Sequence, residues 1–233
     1  MRLIAGFLAA MVCLAQSDTV KLPPIKTALT LEGQPVAIAV WGEVSPARLL
    51  ATVDLGDFQE HLTPILAAQL NRADKCGERL TVQKAVMAPS GLLVANVHYE
   101  HFACAKAFGK EINKRMVGGD AVVEVNLTPS VADNHIAMDA EVRKIDADGS
   151  LGEALRSGSF GDSIRQKIAV NIEASVRKSA DLKSALPAGM DGVLTLRTVR
   201  FADCGSGRLC LTVEGELHLS AEQFQLLTKG ISR

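Results

Sequence analysis

Aromatic side chains are scarce in this chain of 233 residues: they make up 4%, with one tryptophan and one tyrosine. That scarcity excludes an interior built from stacked rings. The 48% that is hydrophobic is therefore aliphatic, carried by Leu, Val, Ile and Ala, and it argues for a real core rather than disorder. An excess of charge of either sign is also missing, since 25 basic and 26 acidic residues leave a net charge of −1. Binding to nucleic acid or to an anionic membrane surface needs a basic excess, and both are excluded as partners. Past the N-terminus no apolar run approaches the roughly 20 residues that a membrane helix requires. G-x-S-x-G, H-E-x-x-H, C-x-x-C and the glycine-rich phosphate loops are absent as well. Their absence removes the common hydrolase, zinc and nucleotide signatures. The expectation is a non-catalytic protein with no metal and no cofactor.

What is present begins with an export signal. Arg2 supplies a positive start, and Leu3 to Leu14 is apolar apart from one glycine. Cys13 and Ala15 are the small residues at positions −3 and −1 of a cleavage site after Ala15. Residues 1–15 are thus predicted to be a signal peptide, and the mature protein to be periplasmic or secreted. Ala10, Met11 and Val12 do not fit a lipidation signal ahead of Cys13.

The remaining cysteines are Cys76, Cys104, Cys204 and Cys210, an even count that suits disulfides in an oxidising compartment. Four cysteines allow three pairings, and local pattern selects among them. Leu80–Met87 and Leu92–Ala103 read as strands around a turn at Pro89-Ser90-Gly91. A hairpin centred on Ser90 sets Cys76 opposite Cys104. A second hairpin, centred on Gly207, sets Cys204 opposite Cys210. Both pairs fall within the Cα separation that a disulfide needs.

Along the chain, residues 16–34, with Pro23-Pro24, read as a leader. Pro35–Trp41 and Leu49–Val53 read as strands, with Trp41 packing into the core. A helix over Gly56–Arg72 follows, with Phe58, Leu62, Ile65, Leu66 and Leu70 on one face and Pro64 inside it. Ala105–Val117 is predicted as a short helix ended by Gly118-Gly119. Asp120–Pro129 and the stretch from His135 to Arg143 alternate as strands, and Asp146–Ser159 reads as a loop. A second helix is predicted over Phe160–Lys178, then a strand over Gly192–Phe201. Leu209–Leu219 alternates most clearly, and Gly215 within it marks a bulge or a close approach. Ser220 and Gln223 form a capping box for a last helix reaching Lys229. The fold class is α+β, with long twisted antiparallel strands wrapped around amphipathic helices. The order strand, strand, helix, hairpin occurs twice, over 35–118 and 119–233, and predicts a degenerate internal repeat.

Two polar segments are candidate sites. In His98-Tyr99-Glu100-His101, His98 and Glu100 share one strand face while Tyr99 and His101 share the other. Two ligands on a face do not make a metal site, so a solvated strand is the reading. Asp146-Ala147-Asp148-Gly149 resembles half of a calcium loop. However, Lys144 and Leu155 stand where the first and last acidic ligands belong. An Asp-Gly turn accounts for the segment.

Leu55–Leu70 followed by Leu80–Phe102, and Phe160–Val176 followed by Val193–Leu219, carry a wider resemblance. A helix laid on long antiparallel strands, used twice, resembles the tubular lipid-binding superfamily. That group includes the bactericidal permeability-increasing protein and the synaptotagmin-like mitochondrial lipid-binding domains. The resemblance implies that acyl chains are held between helix and sheet. The cavity would then be lined by Phe58, Leu62, Leu66, Ile164, Ile168 and Ile172 from the helices, and by Val94, Val97, Leu211 and Val213 from the strands. The expected partner is a lipid or other apolar small molecule, held by sequestration. The alternative is an envelope protein bound by an interaction module with no cavity. A hydrolase, the third reading, would need a polar cleft of clustered titrating groups.

Overall fold

The computed structural model describes residues 19–73, 76–107, 110–156 and 193–220, together with 162, 166, 170 and 224. The first strands are β1 (Val20–Leu31), β2 (Gln34–Val44) and β3 (Arg48–Asp54), followed by helix α1 (Gly56–Leu70). Next come β4 (Arg72–Ala73), β5 (Gly77–Met87), β6 (Leu92–Ala107), β7 (Lys110–Ala132) and β8 (His135–Ala147). Helix α2 (Gly149–Arg156) precedes β9 (Leu194–Asp203) and β10 (Leu209–Leu217). The strands form two antiparallel sheets, ordered β1-β2-β3-β10-β9 and β4-β5-β6-β7-β8. The fold is α+β and mostly antiparallel sheet.

The halves 35–118 and 119–233 are interleaved. A boundary after Gly118 falls inside β7, and β9 and β10 share a sheet with β1 to β3. Nor are the halves placed equivalently. β10 joins the second strand of the first half, β3, whereas β6 joins the first strand of the second half, β7. The expected signal peptide, all but Asp162, Gln166 and Val170 of the expected helix over Phe160–Lys178, and all but Ser220 and Phe224 of the expected last helix lie outside the described residues.

The main core covers one face of the second sheet. Ala121, Val123, Val125 and Leu127 of β7 are buried, as their alternation predicts, with Leu93, Ala95 and Val97 of β6 beside them. Leu62 and Leu66 of α1 and Leu151 and Leu155 of α2 close over them. A second cluster sets Val199, Leu211 and Val213 against Ala51, Val53, Val131 and Ile136. No polar or charged residue among those described is buried. The opposite face of the first sheet is ionic, with Arg48 3.2 Å from Glu214 and Arg197 paired with Glu216.

Bulges re-aim five of these strands. Gln83 in β5, Met116 in β7, Arg143 in β8 and Arg197 in β9 are extra residues, and Pro23-Pro24 interrupts the β1 ladder opposite Trp41. The bulge at Arg143 moves the inward set from Met138, Ala140 and Val142 to Ile145 and Ala147. Gly215 does mark a bulge, and a Cβ there would lie 2.6 Å from Leu194 Cδ1.

Several expectations are corrected. Residues 20–31 of the expected leader are strand β1. β1 is an edge strand, where proline costs no ladder bond on the solvent side. Ala105–Val117 is no helix; it completes β6 and opens β7, with Ala105 opposite Ile112. Cross-strand pairing overrides the local pattern there. Gly118-Gly119 ends nothing: Gly119 lets α2 approach, since a Cβ would meet Leu151 Cβ at 3.2 Å. Within the expected loop, Gly149–Arg156 forms α2. Trp41 is half-buried on the face of β2 opposite Val36 and Val44, and no core cluster of the described residues includes it. Its odd separation from those valines puts it there. Pro64 is exposed within α1, so the carbonyl it leaves unpaired faces water.

Both expected disulfides are present, with Cα separations of 5.6 Å for Cys76–Cys104 and 5.9 Å for Cys204–Cys210. The registers that suggested them are shifted. The Gln83 bulge brings Gly77 opposite Phe102, so Cys76 and Cys104 meet just past the ladder's end. The second hairpin turns at Ser206 rather than Gly207, which sets Cys210 opposite Ala202.

The sheets are joined through a side chain. Asn134, at the β7–β8 turn with φ of 61°, donates to the Leu194 carbonyl at 2.9 Å and accepts from the Leu196 N–H at 2.6 Å. The amide thus pairs with the outer edge of β9 as a neighbouring strand would.

Candidate functional site

Helix α1 decides how the apolar face of the second sheet is covered. β5 is paired with β6 on one side, but beyond Leu80 no strand among the described residues lies along its other edge. Polar residues of α1 and its C-cap take that place. Asn71 Oδ1 accepts from Val82 N–H at 2.7 Å. Thr63 Oγ1 accepts from Ala85 N–H at 3.0 Å and donates to the Ala85 carbonyl at 3.2 Å. Gln59 Nε2 donates to the Met87 carbonyl at 2.8 Å. The helix is thereby fastened along the strand edge while Phe58, Leu62, Leu66 and Leu70 lie over the sheet.

Gln59 also reaches the first sheet. Its Oε1 accepts from Leu209 N–H at 2.6 Å, and Nε2 lies 3.2 Å from the Gly207 carbonyl. Nearby, Arg208 pairs with Asp54 at 3.1 Å, and Asp54 accepts from Gly56 N–H at 2.9 Å. Between these groups and Cys204 lies an open recess of about 580 Å³. Asp57 accepts from Ala37 N–H at 2.6 Å, where β2 runs on beyond the end of β3. Nothing in the hydrophobic periodicity singles out Gln59, Thr63, Asn71 or Asn134. A run of amides and hydroxyls at multiples of four in α1 is the one available signal.

The predicted cavity residues separate. Phe58, Leu62, Leu66 and Val97 come together in the main core. Val94 lies on the other face, opposite Val86, because three residues from Val97 is an odd step along a strand. Leu211 and Val213 pack in the second cluster, under the first sheet. Ile164, Ile168 and Ile172 lie outside the described residues. On the β8 side, Met138, Ala140, Val142 and Ile145 share the core face but are only partly buried. An apolar strip therefore continues the aliphatic core toward the sheet edge.

That core face ends in a polar group. Glu78 pairs with His101 across β5 and β6, and Tyr99 lies one step inward opposite Leu80. Tyr99 is 7% exposed. Burial first, and the Glu78 carboxylate second, push its hydroxyl up to about 12. Tyr99 is the single tyrosine, so the tyrosinate absorbance reports it alone. The native protein should titrate near pH 12 and the urea-unfolded chain near pH 10. A hydroxyl with a raised pKa stabilises the fold while neutral, so this contribution is lost as pH climbs from 10 toward 12. A native midpoint near 10 would remove Tyr99 from the buried face.

The opposite face of β6 is solvated and ionic. His98 Nδ1 lies 2.7 Å from Asp120, and Glu100 takes Arg115 at 3.0 Å. The His98 hydrogen bond holds the Asp120 carboxyl below its usual range. Lys144 is bound to Asp146 at 2.9 Å, ahead of α2. Among the described residues no three His, Cys, Asp or Glu side chains are grouped to hold a metal.

Two disulfides suit an oxidising, extracytoplasmic compartment. No helix of the described residues is long and apolar enough to cross a membrane. No family model, curated protein or solved structure matches the chain.

Proposed function

We propose that this is an exported, non-catalytic envelope protein that sequesters a lipid or another apolar ligand against the β8 side of the second sheet. The observation that carries the reading is the partly buried strip of Met138, Ala140, Val142 and Ile145, continuous with the largely aliphatic core. An acyl chain laid there would gain about 0.8 kcal/mol for each methylene buried and needs no specific head-group site. The apolar stretch at residues 3–14 and the four cysteines support export. A second reading, an interaction module, draws support from the exposed edge strand β1.

Native mass spectrometry of the protein, purified without detergent, tests the first reading. A discrete fatty-acid or phospholipid adduct is expected. It should be lost on organic extraction and much reduced in Val142→Lys. A clean apo mass, with no uptake of added oleate or phospholipid, would overturn the ligand reading.

A further inference from the structure

The exposed outer edge of β1 has a form that fits itself. β1 is the first strand of its sheet, and from Pro24 to Thr30 every residue is exposed. Ile25 is 61% exposed and Leu29 37%, both high for aliphatic residues in a paired strand. They share a face, since their β2 partners are Val40 and Val36.

The turn that follows determines which main-chain groups are free. Glu32 and Gly33 have φ of 48° and 78°, the signature of a two-residue type I′ hairpin. In such a hairpin the flanking pair, Leu31 and Gln34, exchanges hydrogen bonds. By alternation Leu29, Thr27 and Ile25 also bond to β2. Thr30, Ala28 and Lys26 therefore direct their N–H and C=O groups to the outer side.

We infer that this edge pairs antiparallel with β1 of a second copy, about a two-fold axis at Thr27. In that register Ile25 faces Leu29 of the second copy, and Leu29 faces its Ile25. Lys26 and Ala28 meet Ala28 and Lys26 in hydrogen-bonded pairs, which uses the outward main-chain groups of these two residues in both strands. No like charges stand opposite, because Lys26 faces alanine. Natural edges are blunted by proline and lysine, and β1 carries both. However, the proline pair and its bulge end at Pro24 and leave residues 25–31 as a regular ladder. The contact is isologous and closed, so it stops at a dimer. It joins two five-stranded sheets into one.

Sedimentation velocity on the disulfide-oxidised protein, with Cys13 replaced by serine if it is retained, reads the association. A reversible dimer is expected well below about 500 µM, as befits a small interface. Ala28→Pro removes an outward N–H, and Leu29→Lys faces Ile25 with a charge. Each should raise the dimer dissociation constant about 30-fold or more, with an unchanged circular dichroism spectrum. Leu29→Lys stands alone if the proline variant does not fold. Thr27→Cys should cross-link the dimer on oxidation, since non-hydrogen-bonded partners sit about 4.5 Å apart. A monomer at the highest concentration would overturn the inference and leave the edge to a strand of another protein. A dimer indifferent to both substitutions, or one cross-linked by Ala28→Cys and not by Thr27→Cys, would overturn it too.

Discussion

Gln59→Ala should lower the stability of the fold by about 3 kcal/mol, read as a shift of the urea midpoint at unchanged slope. The side chain serves two carbonyls, Met87 and Gly207, and one N–H, Leu209. Leu209 is fully buried, so its N–H has no easy route to water as a substitute acceptor. Three bonds at about 1 kcal/mol each, with part of the penalty for a stranded donor, give that magnitude. For a domain of this size the melting temperature should fall by about 6–12 °C. Gln59→Glu separates the polar role from the packing role. It keeps the acceptor for Leu209 N–H but turns a carboxylate on two carbonyl oxygens. Its deficit should shrink in acid, where the protonated carboxyl donates again. Equal stability of Gln59→Met and the parent would refute the account, because that change keeps the volume and removes every bond.

The second large effect is expected at the Cys76–Cys104 disulfide. Its ends are 28 residues apart, against 6 for Cys204–Cys210. Loop-closure entropy then assigns about 3.6 kcal/mol to the first and about 2.2 kcal/mol to the second. Cys76 and Cys104 are both exposed, so serine in their place adds no buried hydroxyl. The double serine variant should therefore lose about the entropic amount alone. Cys210 is fully buried, and serine there adds a desolvation cost beyond entropy. Mild reductant should open Cys76–Cys104 first, as the accessible pair, followed by thiol alkylation and peptide mapping. A loss below about 1 kcal/mol for the first pair would mean that the unfolded chain is already held compact there.

Much of this architecture was legible wherever one face of a strand is buried and the other wet. Ala121 to Leu127 and Leu209 to Leu217 alternate for that reason, and α1 shows its apolar stripe because it lies on a sheet. The disulfide partners were legible because both pairs close local hairpins. β1 carries no such pattern, since both its faces are exposed. Residues 105–117 misled because the β6–β7 ladder runs on beyond the core, where Ile112 and Met116 are exposed and neither face is selected. The candidate site was half legible. Phe58, Leu62, Leu66 and Val97 do meet. The strip on β8 was partly visible as Met138, Ala140 and Val142, but the bulge at Arg143 brings Ile145 onto the same face.

The sequence alone determined the aliphatic core, the near-neutral surface, the two cystine pairs and the antiparallel α+β class. Each of these follows from composition or from contacts between chain neighbours. Only the tertiary structure decided which strands share a sheet, where bulges turn a face over, and that Gln59, Thr63, Asn71 and Asn134 take the place of missing strands. Those outcomes depend on backbone groups left unpaired at sheet edges, and a strand edge has no side-chain signature. A buried N–H must find an acceptor wherever the fold brings one, and in this protein it finds side-chain amides from far along the chain.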